Sequence, residues 1–267
     1  MKVIHSLLAT IGCYMEDYRS PLTRVLSGVS WEGRKVNTKY RDGGRGVEEV
    51  LTAEVFQALE FLPRHPFIEE VAKKIIRLGE EKEPFIEPDY IETVTFEVSP
   101  GGGLSLRPSG KTHQERVEVQ FDALITTSRC DIYVEAKRLG RSSFQEEQLA
   151  RTFLIALRES RNRSGKVLLI LGEPPPVLIK KMGRQSIENG ILETLPVVYE
   201  KTEGIDASLQ EVESRISDTV AYITWEDIAI AVTKAMERYE NHDPSTSAAV
   251  KRIAKSLVQS IRWHQAG

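Results

Sequence analysis

Residues 117–140 read VEVQFDALITTSRCDIYVEAKRLG, and this stretch decides which fold the chain can adopt. Apolar and polar residues alternate through residues 116–127 and again through residues 130–137, and this period of two predicts two strands. Twelve residues separate Asp122 from Glu135, which is enough for a short hairpin that brings the two strands side by side. We therefore expect an antiparallel pair at the centre of the fold.

Acidic and basic side chains are predicted to share one face of this pair. Successive side chains of a strand point to opposite faces, so Glu135 and Lys137 should lie together while the alternate residues pack in the core. The same alternation on the preceding strand predicts that Asp122 lies on the polar face. The residues expected on the apolar faces are Val117, Val119, Phe121, Ala123, Ile132, Val134 and Ala136, and Gln120 is expected beside Asp122. Two carboxylates and one amine can therefore meet.

The flanking sequence completes an α/β pattern. Apolar residues recur at helical spacing over residues 47–62, and a second helix is expected over residues 66–78. A strand over residues 90–98 should pair with the 116–127 strand. Downstream we expect helix 143–160, strand 166–172, strand 219–224, a helix from Thr224 toward residue 239 and a final amphipathic helix. Because the apolar run KVLLILG follows a helix, a strand-helix-strand crossover is expected. The fold class is α/β, with a central mixed sheet flanked by helices.

Two carboxylates and a lysine at the ends of neighbouring strands suit metal-assisted hydrolysis of a phosphodiester. Magnesium prefers hard oxygen ligands, keeps most of its waters and accepts phosphate oxygens. The ion can stabilise charge on the phosphate and lower the pKa of an attacking water. Lys137 could orient or deprotonate that water, or offset charge at the phosphorus.

This pattern resembles the PD-(D/E)XK superfamily of restriction-endonuclease-like nucleases. Asp122 matches the first acidic residue of that pattern, and Glu135, Ala136 and Lys137 match its E-x-K triplet, whereas Phe121 stands where the named pattern has proline. The resemblance covers about residues 48–172. It implies a nuclease whose expected substrate is DNA rather than RNA, with Mg²⁺ or Mn²⁺ held by Asp122, Glu135 and the Ala136 carbonyl.

Further residues take their predicted roles from the same resemblance. Family members carry an acidic residue on a helix before the sheet, and Glu48 is the first choice here, with Glu54 in reserve, because both border the apolar stripe of their helix. A polar residue on the helix after the triplet would be Gln148, with Arg151 one turn further for phosphate. Independently of the resemblance, other basic residues near the triplet fit a phosphate track, although a solvated helix surface would explain them nearly as well: Arg138, Arg141, Arg158, Arg161, Arg163 and Lys166.

Two other interpretations stay open at this point. The three charged residues could form an ordinary cross-strand cluster with no ligand. Alternatively, the fold could bind nucleic acid or a partner protein without cutting it. The sequence does not decide between internal and end-wise cutting, and it leaves a homodimer possible.

Composition limits the possible domain organisation and cellular setting of the chain. The chain has 267 residues, of which 40% are hydrophobic and 28% charged, so one globular core with appendages is expected. We predict an N-terminal appendage with a basic loop over residues 1–46, a nuclease-like core over residues 47–242 and a C-terminal helix over residues 243–267. Only two cysteines, Cys13 and Cys130, occur, which favours a reducing, cytoplasmic setting. No apolar run after the first residues is long enough to span a bilayer.

Overall fold

The computed structural model describes residues 46–79, 84–98, 104–106, 117–119, 121–137, 143–159 and 163–265. The predicted N-terminal appendage and basic loop therefore lie outside the described residues. The α-helices are α1 Gly46–Phe61, α2 Glu69–Ala72, α3 Gln148–Glu159, α4 Ile187–Leu192, α5 Leu195–Glu200, α6 Leu209–Ser214, α7 Ile216–Thr219, α8 Trp225–Arg238 and α9 Pro244–Gln265. A short π-helical turn, Arg64–Ile68, and a 3₁₀ turn, Pro88–Thr93, accompany them.

The strands form one large sheet and two small ones. They are β1 Ile76–Arg77, β2 Thr95–Val98, β3 Leu104–Leu106, β4 Val117–Val119, β5 Ala123–Thr126, β6 Cys130–Ala136, β7 Ser164–Leu171, β8 Val177–Ile179, β9 Gly183–Gln185 and β10 Val220–Thr224. The six-stranded sheet has the order β1-β10-β7-β6-β5-β2, while β3 pairs with β4 and β8 pairs with β9. The molecule is thus mixed α/β, with a six-stranded mixed sheet flanked by helices.

The centre of the sheet is parallel and its margins are antiparallel. Strands β6, β7 and β10 run parallel to one another, and α3 supplies the predicted crossover between β6 and β7. Strand β5 runs antiparallel to β6, with Ala123 opposite Val134, and β2 runs antiparallel to β5. Because the parallel strands end at one edge, the residues that follow them gather there.

Two hydrophobic cores cover the two faces of the sheet. The first core contains Ile132, Val134 and Ala136 of β6, each fully buried, with apolar residues from α1, α8 and α9. The second core contains Tyr133 together with residues of α3, α4 and the β8–β9 hairpin. Ile132, Val134 and Ala136 therefore share one buried face, as the alternation predicted, whereas the opposite face, predicted to be polar, is covered by the second core.

Four predicted elements differ in extent from the structure. The strand expected over residues 90–98 begins only at Thr95, because Pro88–Thr93 forms a 3₁₀ turn. The strand expected over residues 116–127 is divided, since β4 pairs with β3 in a separate sheet and only β5 joins the main one. As a result Val119 and Phe121 lie in the second core with Tyr133, whereas Ala123 lies in the first. The helix expected over residues 66–78 ends at Ala72, because the following residues pair with β10 as the edge strand β1.

Helix α3 also begins later than predicted. Residues 143–147 do not continue it, because the backbone of Phe144 donates to the Leu178 carbonyl at 2.9 Å and accepts from the Lys180 amide at 2.9 Å. This segment is a strap that joins the β8–β9 hairpin to the start of α3. Helix α8 does begin at Thr224 as expected, with the Thr224 hydroxyl accepting from the Asp227 amide at 3.0 Å.

Candidate active site at the carboxyl end of β6

Glu135 is a buried acid near the end of the central strand β6. Only 3% of its surface is exposed, and it lies on the same face of the strand as Tyr133, toward the second core. Burial of an ionised carboxylate is costly unless charged or hydrogen-bonding partners surround it. The partners of Glu135 therefore define the site.

Lys137 and Gln148 both donate to the same oxygen of Glu135. The Lys137 Nζ lies 2.9 Å from Glu135 Oε1, and Gln148 Nε2 also donates to Oε1. The other end of the Gln148 amide is fixed, since its Oε1 accepts from the backbone amide of Gln145 at 3.1 Å. Gln148 is the first residue of α3, so the helix start directs an amide donor at the carboxylate.

Asp122 lies beside this group at the start of β5. Its backbone amide donates to the Val134 carbonyl at 3.1 Å, and its Oδ2 accepts from the Ala136 amide at 2.7 Å. Ala136 directly follows Glu135, so Asp122 is bonded to the strand at the residue next to Glu135. Asp122, Glu135, Lys137 and Gln148, which the sequence predicted to act together, are brought to one end of β6.

The backbone of Lys137 is held from both sides. Its amide donates to the Ile170 carbonyl of β7 at 2.7 Å, and its carbonyl accepts from the indole Nε1 of Trp225 at 3.1 Å. Its ammonium also lies 5.3 Å from the centre of the Phe144 ring, within the range of a cation–π contact. Three separate segments thus fix where the amine can go.

Trp225 and Phe144 are site residues that sequence reasoning missed. Trp225 is fully buried, and its indole N–H donates to the Lys137 carbonyl. One signal could have found it: Trp225 is the first residue of α8 and directly follows β10, so it stands at the same sheet edge as the end of β6. Phe144 lies in the strap, where a helix was predicted.

Glu54, the reserve choice for a helix carboxylate, is engaged elsewhere. Its Oε2 accepts from Ser260 Oγ at 2.6 Å and lies 3.7 Å from Nε2 of His264, both on α9. It therefore bonds across the α1–α9 contact in the first core. Glu48 belongs to α1, but its side chain lies outside the described residues, as do Arg138 and Arg141 entirely.

The predicted phosphate track is only partly at the site. Arg151 is half-buried one turn after Gln148 and is ion-paired with Glu147. Arg163 pairs with Asp131 at 2.9 Å near the far end of β6, about 13 Å along the strand from Glu135 at the usual rise per residue.

Two more basic residues of that track lie away from the site. Lys166 donates to the Phe85 carbonyl at 2.6 Å, on the opposite face of the sheet. Arg158 stands near the end of α3, about 15 Å along the helix from Gln148. The prediction that these side chains border the site is wrong. Arg163 and Lys166 lie at the start of β7 and Arg158 lies in the last turn of α3, whereas the site lies at the end of β6. Arg161 lies outside the described residues.

The donors at the end of β6 fit a hard divalent cation. Asp122 and Glu135 supply carboxylate oxygens and Ala136 a backbone carbonyl, which are the ligand types that Mg²⁺ accepts. Among the residues whose side chains are described, no group of three or more His, Cys, Asp and Glu lies close enough to hold a metal. Magnesium does not need such a cage, because it commonly uses one or two carboxylates, waters and substrate phosphates.

Comparisons with protein-family models, with curated proteins and with solved structures give no match, so the residues themselves carry the functional argument. Within the described ranges, no helix combines the length and the apolar character needed to cross a bilayer.

Proposed function

We propose that this chain is a metal-dependent nuclease with a restriction-endonuclease-like core that hydrolyses phosphodiester bonds of nucleic acid, the expected substrate class being DNA rather than RNA. One observation carries the proposal: Lys137 and Gln148 both donate to one oxygen of the buried Glu135, and the carboxylate of Asp122 accepts from the backbone amide of Ala136, the next residue. In open α/β sheets, ligands bind beyond the carboxyl ends of the strands, and the group stands at that edge.

Asp122, Glu135 and Lys137 each have a role that their surroundings support, whereas Glu48, whose side chain lies outside the described residues, keeps the role expected from the sequence. Asp122, Glu135 and the Ala136 carbonyl would hold Mg²⁺ or Mn²⁺, and Glu48 of α1 would complete or orient the metal shell. A divalent cation bound there supplies charge stabilisation to the phosphate and makes water a better nucleophile at neutral pH. Lys137 orients the attacking water or offsets charge at the phosphorus.

The supports of Lys137 favour this role over a simple ion pair. The backbone of Lys137 is held at both its amide and its carbonyl, so its ammonium can move only by rotation of its own side chain. Catalysis depends on such positioning. Gln148 restricts the Glu135 side chain through its hydrogen bond to Oε1. An ordinary ion pair does not require a further amide donor on its carboxylate, as Gln148 supplies here.

A second candidate function is binding of nucleic acid or of a protein without cleavage. The observation that favours it is that the side chains described at this edge include no third metal-ligating group. Binding and cutting separate when duplex DNA is mixed with the protein with and without Mg²⁺, because a pure binder forms complexes and yields no products.

The decisive experiment measures cleavage of plasmid and linear DNA in Mg²⁺ or Mn²⁺. We expect Glu135→Gln and Asp122→Asn to abolish cutting and Lys137→Met to slow it by about 10²- to 10⁴-fold, the usual contribution of proton transfer by a positioned group. Asp131→Asn is the matched control, because Asp131 is an acid of the same strand whose partner is Arg163. A folded Lys137→Met protein that cuts as fast as the parent would remove the role assigned to that amine.

A further inference from the structure

The β8–β9 hairpin is a two-faced ribbon next to the candidate active site. Leu178 pairs with Arg184 across the two strands, and Val177 and Ile179 alternate with Leu178. Val177 and Ile179 are buried in the second core, whereas Leu178 is 41% exposed. One face of the hairpin therefore anchors it, and the other is presented to solvent.

The hairpin packs closely against its neighbours. A side chain on Gly190 of α4 would overlap the end of Ile179, so the hairpin and that helix are in direct contact. The strap residue Phe144 extends the hairpin by hydrogen bonds to Leu178 and Lys180, and its ring faces the Lys137 ammonium. Phe144 thus joins the hairpin to the site.

The outer face of this hairpin is basic in a chain of net charge −3. Residues 177–185 read VLIKKMGRQ, which includes Lys180, Lys181 and Arg184 and no acid. All three basic residues are exposed. Lys181 contacts Glu146 at 2.7 Å and Arg184 contacts Glu173 at 3.2 Å, and exposed pairs of this kind are weak enough for a phosphate to replace them.

We propose that the β8–β9 hairpin is the substrate-contacting arm of the nuclease, and that Lys180, Lys181 and Arg184 bind backbone phosphates of duplex DNA beside the bond that is cut. The inference rests on the proposed function and adds to it the element that holds the substrate. Contacts to phosphates fix position without reading sequence, and a two-stranded ribbon is narrow enough to lie against a groove.

The test compares two triple variants that change the net charge equally. The first carries Lys180→Gln, Lys181→Gln and Arg184→Gln. The control carries Lys251→Gln, Arg252→Gln and Lys255→Gln on α9, whose buried face packs in the first core, on the other side of the sheet from the hairpin. Binding to duplex DNA of mixed sequence is measured without divalent cation, over a range of salt concentrations, so that no cutting occurs.

We expect the hairpin variant to bind more weakly and its salt dependence to flatten. The slope of log K against log salt should fall by about 0.9 for each phosphate that the variant no longer neutralises. The control should retain the parent's slope. Equally weakened binding in both variants, or unchanged binding in both, would overturn the inference, as would a weakening confined to duplex RNA.

Cleavage measured in parallel separates this inference from the proposed function. If the hairpin variant binds weakly and the parent binds DNA but never cuts it, the hairpin assignment stands and the nuclease proposal fails. If the parent cuts DNA in a Glu135-dependent way but the hairpin variant binds as well as the parent, the nuclease proposal stands and the hairpin assignment fails. A parent that neither binds nor cuts DNA refutes both.

Discussion

Replacing Glu135 by Gln should reduce stability and, separately, abolish stabilisation by Mn²⁺. Glu135 is 3% exposed and the Lys137 side chain 13%, so their contact at 2.9 Å belongs with buried ion pairs. Breaking such a pair by removing one charge typically costs about 3–5 kcal/mol, because the remaining charge stays buried. We expect about 3 kcal/mol, the lower end of that range, since the ammonium retains some access to water.

Urea unfolding of Glu135→Gln in the absence of metal measures this cost. With a denaturant slope of about 3 kcal/mol per molar, near the upper end for single domains, the destabilisation should move the midpoint down by about 1 M. The matched control is Asp131→Asn, on the same strand. Its pair with Arg163 has side chains that are 24% and 43% exposed, so removing it should cost at most about 1 kcal/mol.

Addition of Mn²⁺ then tests the site itself. A ligand that binds only the folded protein stabilises it by about 2.7 kcal/mol at a concentration of about 100 Kd. The parent and Asp131→Asn should be stabilised by this amount, whereas Glu135→Gln should not be stabilised. Equal stabilisation of all three proteins would mean that the cation binds elsewhere, and equal destabilisation of the two variants without metal would refute the reasoning from burial.

Three further changes test the surroundings of the site. Trp225→Phe removes the indole N–H from the Lys137 carbonyl and should cost about 2 kcal/mol in urea unfolding, the usual penalty for an unsatisfied buried acceptor, while slowing DNA cleavage. Burial first, and Asp131 second, raise the pKa of Tyr133 to about 12 from the ordinary 10.0, so the neutral phenol stabilises the fold below pH 10 and that contribution is lost as pH rises toward 12. Tyr133→Phe should therefore unfold less steeply with pH in that window, as followed by circular dichroism. Ser260→Ala removes a buried donor from Glu54 and should cost about 1–3 kcal/mol in urea without changing cleavage, since this contact joins α1 to α9.

Local patterns predict the strand that carries the site, because they depend on neighbours in sequence. The period of two in β6 is enough to separate Glu135 and Lys137 from Val134 and Ala136, and the structure has the latter pair fully buried in the first core. Likewise the run before Gly172 predicts β7, whose central residues are buried. Strong periodicity of this kind leaves little choice of face.

Pairings between distant segments are what the sequence could not supply. Residues 76–77 follow a helical pattern, yet they form an edge strand because β10, far along the chain, offers its unpaired backbone. The strap at Phe144 has the same cause, since its hydrogen bonds go to the β8–β9 hairpin rather than to the next turn of helix. The basic residues Arg163 and Lys166 were placed near the site by sequence proximity, but strand direction carries them to the opposite end or face.

The location of the site between two cores has a consequence for its chemistry. Glu135 is oriented toward the second core, but its neighbours Val134 and Ala136 are packed in the first, and the Lys137 backbone is held by Trp225, whose ring also belongs to the first. A shift of either core relative to the sheet would therefore change the distance between the carboxylate and the amine. Because close-packed interiors transmit small displacements, a change in size at Val134 or Ala136, which adjoin Glu135 on β6, should alter the geometry at Glu135 as well as stability. The tight packing of β6 on both faces thus positions the two charges as well as stabilising the sheet.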